Sequence, residues 1–168
     1  MTQTEISIHQ MRPEDWSDIR AIYEQGIATG DATFETTVPS WESWDAAHLT
    51  PCRLVARRNG AIAGWAALTP FSKRPVYQGV AEASVYVAAS ARGSGVGSVL
   101  MQELIGRSEA GGIWTLLAKI FPENKASLGI VAKFGFRTVG KLERIGKSNG
   151  AWRDLILLER RSPTIADQ

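Results

Sequence analysis

The apolar positions of this chain change period several times, and each change marks an element. Ile6 and Ile8 alternate with polar neighbours across residues 5–11, the two-residue period of a strand. Pro13 then opens a helix, its fixed φ suiting the first turn while Glu14 and Asp15 meet the positive end of the dipole. Trp16, Ile19, Ile22, Tyr23 and Ile27 recur at helical spacing and make one apolar stripe. Gly30-Asp31 ends that pattern, residues 32–39 read as a loop, and a short helix carrying Trp41 and Trp44 follows from Ser40. Residues 53–58 and 61–68 flank Asn59-Gly60, a strong hairpin signal. A loop over 70–79 leads to a strand over 80–88, and a helix over 95–109 points Val96, Val99, Leu100, Leu104 and Ile105 inward before Gly111-Gly112 ends it. Residues 114–120 form an apolar strand, Asn124 caps a helix running to about Lys133, and 136–145 and 151–158 flank a second turn at Asn149-Gly150. This order predicts the α/β (α+β) class: one domain with a mixed, mostly antiparallel central sheet flanked by helices.

Composition narrows the picture. At 168 residues and 44% apolar content, one hydrophobic core is affordable without disulfides or metal. Nineteen basic against seventeen acidic residues leave a net charge of +2, and no basic run is interleaved with aromatics, so nucleic acid is not an expected partner. Cys52 stands alone, and His9 and His48 lie far apart, so no metal site is expected. No apolar stretch is long enough to span a membrane, and Met1-Thr2-Gln3-Thr4-Glu5 lacks the features of a signal peptide, so a cytoplasmic protein is expected. Six tryptophans are many for this length.

The sharpest chemical signal is Arg92-Gly93-Ser94-Gly95-Val96-Gly97, directly after the strand Val85-Tyr86-Val87 and directly before a helix. Small residues let the backbone approach a ligand, the helix start presents unpaired N–H groups, and Arg92 adds a guanidinium. That combination suits a pyrophosphate. A dinucleotide fold would need a third glycine, but Leu100 stands at that place. Between Gly140 and Ser148 a P-loop-like pattern is one residue too long and sits in a hairpin. Coenzyme A remains as the third possibility.

The Arg92–Gly97 segment resembles the cofactor signature of the GNAT superfamily of acyl-CoA N-acyltransferases, Arg/Gln-x-x-Gly-x-Gly/Ala. Asn124-Lys125-Ala126-Ser127, followed by Lys133-Phe134-Gly135-Phe136, is similar to that family's second cofactor motif. The resemblance extends to its phosphinothricin-type subgroup through Ile22-Tyr23, Ala32-Thr33-Phe34-Glu35-Thr36, Glu82-Ala83-Ser84-Val85-Tyr86-Val87, Phe121-Pro122-Glu123-Asn124 and Trp152-Arg153-Asp154. It covers about residues 6–159, which leaves 160–168 as a C-terminal tail. Members of that subgroup acetylate phosphinothricin, methionine sulfoximine or arsinothricin, and the wording here looks closest to the arsinothricin type.

The resemblance implies acetyl-CoA as cosubstrate, held by Arg92, Gly93, Ser94, Gly95, Val96, Gly97 and Ser98, by the main chain of Val85, Tyr86 and Val87 at a bulge, and by Asn124 and Ser127. It places Glu82 as the base that takes a proton from the acceptor amine. Arg74 is expected to hold an acidic group of the acceptor, with Phe34 and Tyr77 lining the pocket; Arg153 is divided among substrate contact, an ion pair with Asp154 and a dimer contact. Val131 occupies the position where many members carry a Tyr or His that protonates the leaving thiolate; departure of the thiolate unaided, or protonation by water or Tyr86, are the alternatives. A homodimer is expected, and it would give the extra tryptophans something to bury. A peptide or polyamine acceptor, or an acyl-CoA sensor without catalysis, are the competing functions.

Overall fold

The structure, a computed structural model, describes residues 5–165; the segment Met1-Thr2-Gln3-Thr4 of the signal-peptide reading lies outside the described residues. The chain runs β1 (Ile6–Gln10), α1 (Trp16–Ala28), α2 (Trp41–Ala47), β2 (Leu54–Arg58), β3 (Ala61–Pro70), β4 (Val80–Val87), α3 (Val96–Ala110), β5 (Thr115–Ile120), α4 (Lys125–Lys133), β6 (Arg137–Ser148) and β7 (Ala151–Arg161). Among the described residues the strands form one sheet in the order β1-β2-β3-β4-β5-β7-β6. Every neighbouring pair is antiparallel except β4 and β5. Both Asn-Gly turns do what their residues favour, with Asn59 and Gly60 at φ 53° and 79° and Asn149 and Gly150 at 49° and 79°.

Side-chain alternation splits the molecule into two layers over this sheet. On one face Tyr23 of α1 stacks on Tyr86, and Trp44 of α2 meets Trp65 edge-on. On the other, α3 buries Val96, Leu100, Met101 and Leu104, and α4 packs alongside it. Four of the six tryptophans are absorbed in the first layer. Trp16, Trp41, Trp44 and Trp65 make a continuous ring cluster with centroids 5.5–5.9 Å apart, so those four need no partner subunit to cover them.

Two expectations change here. The helix foreseen from Pro13 begins as a 3-10 turn over Pro13–Asp15 and becomes α-helical only at Trp16. The expected tail at 160–168 starts too early, because β7 continues to Arg161 and Ser162 N–H donates to the Trp114 carbonyl. Arg160 donates to Glu109 at 2.8 Å and so ties the end of β7 to the last turn of α3. No helix among the described residues is long and apolar enough to cross a membrane.

Candidate active site

The site begins where the sheet comes apart. The parallel pair holds only over Val80↔Thr115, Ala81↔Leu116 and Glu82↔Leu117. Beyond that point β4 continues against β3 and β5 against β7, so a gap opens between them. The expected bulge in β4 is absent on its β3 side, where the register runs unbroken from Gly64↔Val87 to Pro70↔Ala81. Bonds from Ala88 N–H to Ala63 and from Phe71 N–H to Val80 bracket this ladder. In an antiparallel pair the bonding residues alternate, so Glu82, Ser84 and Tyr86 turn their main chain to β3. Val85 and Val87 turn theirs into the gap. This corrects the expected set: Tyr86 has no main-chain groups to offer there.

Each diverging strand leads into a helix start at its C-terminal end. After β4 a short turn reaches Arg92–Gly95, with Gly93 at φ 74° and Gly95 at φ 88°, a left-handed backbone that glycine adopts without a Cβ clash. The first rung of α3 is Val99 N–H to the Gly95 carbonyl at 3.1 Å, so the N–H groups of Val96, Gly97 and Ser98 lack an intrahelical acceptor. Arg92 is exposed and makes no ion pair among the described residues. The Ser94 hydroxyl is already committed to the Ala91 carbonyl at 2.5 Å. Val96 and the Gly97 Cα are buried. A Cβ on Gly97 would stand 2.8 Å from Ile130 Cδ1, so this glycine lets α4 pack against α3. These N–H groups, the open guanidinium and the gap together suit a pyrophosphate followed by an extended amide-bearing arm.

After β5 the turn at Phe121–Asn124 starts α4. Asn124 accepts from Ser127 N–H at 3.2 Å and donates to the Asp31 carbonyl at 3.1 Å, so both ends of its amide are engaged within the chain. Ser127 contributes that N–H, and its hydroxyl is uncommitted. Val131 is buried in the core, 3% exposed, with no proton to give.

Glu82 shares a face with Ser84, Tyr86, Leu117 and Lys119, the face that α1 and the 29–40 loop cover. Its carboxylate is part-exposed and lies 3.4 Å from Lys119 Nζ. Tyr86 is stacked between Trp65, at 4.7 Å, and Tyr23, at 4.9 Å. Burial, and then the neighbouring Tyr23, hold its phenol well above the ordinary tyrosine range, so it is a weak proton donor to a thiolate. Phe34 packs edge-on against Phe121 at 4.9 Å and rests on Gly146. Arg74 and Tyr77 sit together in the exposed β3–β4 loop, the guanidinium 5.6 Å over the ring and Phe71 edge-on to it. The loop joins β4 at the Glu82 end.

The sequence names one further participant without fixing its partners and misses another altogether. Arg153 donates to the Gly30 carbonyl and to Asp31, both at 2.8 Å, and to Glu123 at 3.2 Å, while its guanidinium lies 4.1 Å over Phe121. It does not pair with Asp154, which accepts from Arg144 N–H. Lys119 is the other, and its signal was an ionisable residue inside the apolar run Leu116-Leu117-Ala118-Lys119-Ile120.

The chain matches the acetyltransferase (GNAT) family over residues 9–136. It belongs to that family. It is therefore an acetyltransferase, with acetyl-CoA as the acetyl donor. It is 35% identical to the phosphinothricin N-acetyltransferase of Alcaligenes faecalis over 92% of this chain and 81% of that one. With the L-methionine sulfoximine/L-methionine sulfone acetyltransferase of Pseudomonas aeruginosa it shares 30% identity over 91% and 92% of the two chains. A crystal structure of a GNAT superfamily phosphinothricin acetyltransferase from Sinorhizobium meliloti in complex with AcCoA superposes with a TM-score of 0.83 at 28% identity, covering 93% and 88%.

Proposed function

We propose that this acetyltransferase acetylates the α-amine of a small amino acid or toxic amino acid analogue, of the phosphinothricin, methionine sulfoximine or arsinothricin kind. The observation that carries the reading is Glu82, a part-exposed carboxylate beside the point where β4 and β5 part. The names of the relatives support the same substrate class.

In this reading the N–H groups of Val96, Gly97 and Ser98, with Arg92, hold the pyrophosphate of acetyl-CoA, and Gly93 and Gly95 shape that loop. Val85 and Val87 pair with the pantetheine arm, and one of their N–H groups polarises the acetyl carbonyl. Glu82 takes a proton from the acceptor ammonium, directly or through water, and frees the amine to attack. Asn124 sets the start of α4, and Ser127 offers its hydroxyl to the same cosubstrate. Arg74 holds the side-group oxygens of an acidic acceptor such as a phosphinate or arsinate, and Phe34 and Tyr77 wall the pocket. The thiolate leaves without a dedicated acid, because a thiol pKa near 8.5 makes it a tolerable leaving group.

The protein acts in the cytoplasm, and resistance to a toxic amino acid is the role that fits the substrate class. Exposed Val139, Ile145 and Trp152 on the outer β6–β7 hairpin support a homodimer formed through it. Thiol release from acetyl-CoA, followed with phosphinothricin, methionine sulfoximine, arsinothricin, glutamate, spermidine and a short peptide, tests the reading. Turnover of the amino acid analogues is the expected result. Turnover only of spermidine or the peptide would discard the Arg74 pocket, and binding of acetyl-CoA without any turnover would favour a sensor.

A further inference from the structure

The carboxylate at the centre of this site does not stand alone. Lys119 lies two residues beyond Leu117, the register partner of Glu82, and its Nζ is 3.4 Å from Glu82 Oε2. The two side chains keep 43% and 33% of their exposure, and an ion pair this open contributes little to folding. Other acids nearby are taken: Glu159 accepts from Arg137, and Glu123 from Arg153. Lys119 is opposed by Leu157 in β7, so its strand is paired on that side, and its ammonium lies on the sheet face that carries Glu82.

We infer that Lys119 binds the α-carboxylate of the acceptor. This deepens the function proposed above and rests on it. An α-amino acid carries its amine and its carboxylate on neighbouring atoms, with nitrogen and oxygen about 3 Å apart. Glu82 and Lys119 present the opposite charges at 3.4 Å, in the order that an amino acid head lying across them needs. The acceptor amine then meets Glu82 and its carboxylate meets Lys119, so each protein charge exchanges one partner for another. Neither is left unpaired when the site empties, and Glu82 is released from Lys119 as the proton it must accept arrives. The two cations divide the acceptor between them. Lys119, on a strand, fixes the common head, and Arg74, on an exposed loop, meets the variable acidic group.

The test compares the amino acid that the wild type acetylates best with the α-carboxamide of the same compound, in the wild type, Lys119→Met and Lys119→Arg. Loss of the ammonium is expected to raise the KM of the amino acid about 10–100-fold, the scale of one charge-assisted contact. The KM values of the carboxamide and of acetyl-CoA stay unchanged, and Lys119→Arg recovers most of the discrimination. An equal effect of Lys119→Met on both acceptors, or none on either, overturns the assignment. Circular dichroism identifies a misfolded variant, in which case Lys119→Gln is read by the same criterion. A wild type that turns over peptides or polyamines but no amino acid overturns the proposed function and this assignment with it. A wild type that acetylates amino acids while Lys119→Met keeps their KM overturns the assignment alone.

Discussion

Glu82 is held by its neighbours rather than by a buried pocket: β3 pairs its main chain, β5 supplies Lys119, and solvent reaches the carboxylate. A base in that setting has to act by position. Glu82→Gln keeps the shape and removes the proton acceptor, so kcat should fall about 10²–10⁴-fold while acetyl-CoA binding, measured by calorimetry, is retained. The phosphate loop should respond in the opposite way. Gly95 at φ 88° has no atom within 4 Å of where a Cβ would stand, so Gly95→Ala strains only the backbone, by about 1–2 kcal/mol. The expected outcome is a higher KM for acetyl-CoA with the acceptor KM unaltered, and a loss in both would place Gly95 in the fold rather than in the cosubstrate site.

At the scale of elements, the 29–40 loop is fastened from two sides. Arg153 grips Gly30 and Asp31 from β7, and Asn124 grips the Asp31 carbonyl from the start of α4. Phe34, four residues after Gly30, is thereby set against Phe121. Replacing Arg153 by Met should loosen the loop, lower the acceptor kcat/KM about tenfold and cost about 1–3 kcal/mol of stability by thermal or urea melting. The elements themselves were legible because they rest on local rules: period two, period 3.6, Asn-Gly turns and the glycines at positive φ before α3. What joins them was not. Arg153 and Asp31 are 122 residues apart, and nothing local to Trp152-Arg153-Asp154 says which acid the arginine will meet. Tyr86 misled the reading for a related reason. Its place in a strand next to the gap is visible in the sequence, but the direction of its main chain depends on how β4 pairs with β3, which only the register decides. The irregularity in β6 between Leu142 and Gly146 likewise follows from its partner in β7.

Across the whole molecule the sheet is two blocks, β1–β4 and β5–β7, joined by three register pairs and by side chains that bridge the seam. One bridge is Glu109 with Arg160, which connects α3 to β7. Burial raises the Glu109 pKa, but hydrogen bonds from Arg160 and Ser162 and the Arg160 charge outweigh it, so the carboxyl ionises at lower pH in the folded chain than in the unfolded one. The pair therefore stabilises the fold above the ordinary glutamate value of about 4.3, and its contribution is lost as pH falls through the lower folded value. Glu109→Gln should be about 1–2 kcal/mol less stable than the wild type at pH 7, with the two curves converging in acid. The seam also sets a rhythm along a single strand. In hydrogen–deuterium exchange, the amides of Ser84 and Tyr86, bonded to β3, should wait for the whole domain to unfold, while those of Val85 and Val87 between them trade protons with water almost as freely as a loop. Saturation with acetyl-CoA should erase that alternation, turning Val85 and Val87 from the fastest into two of the slowest clocks in the sheet.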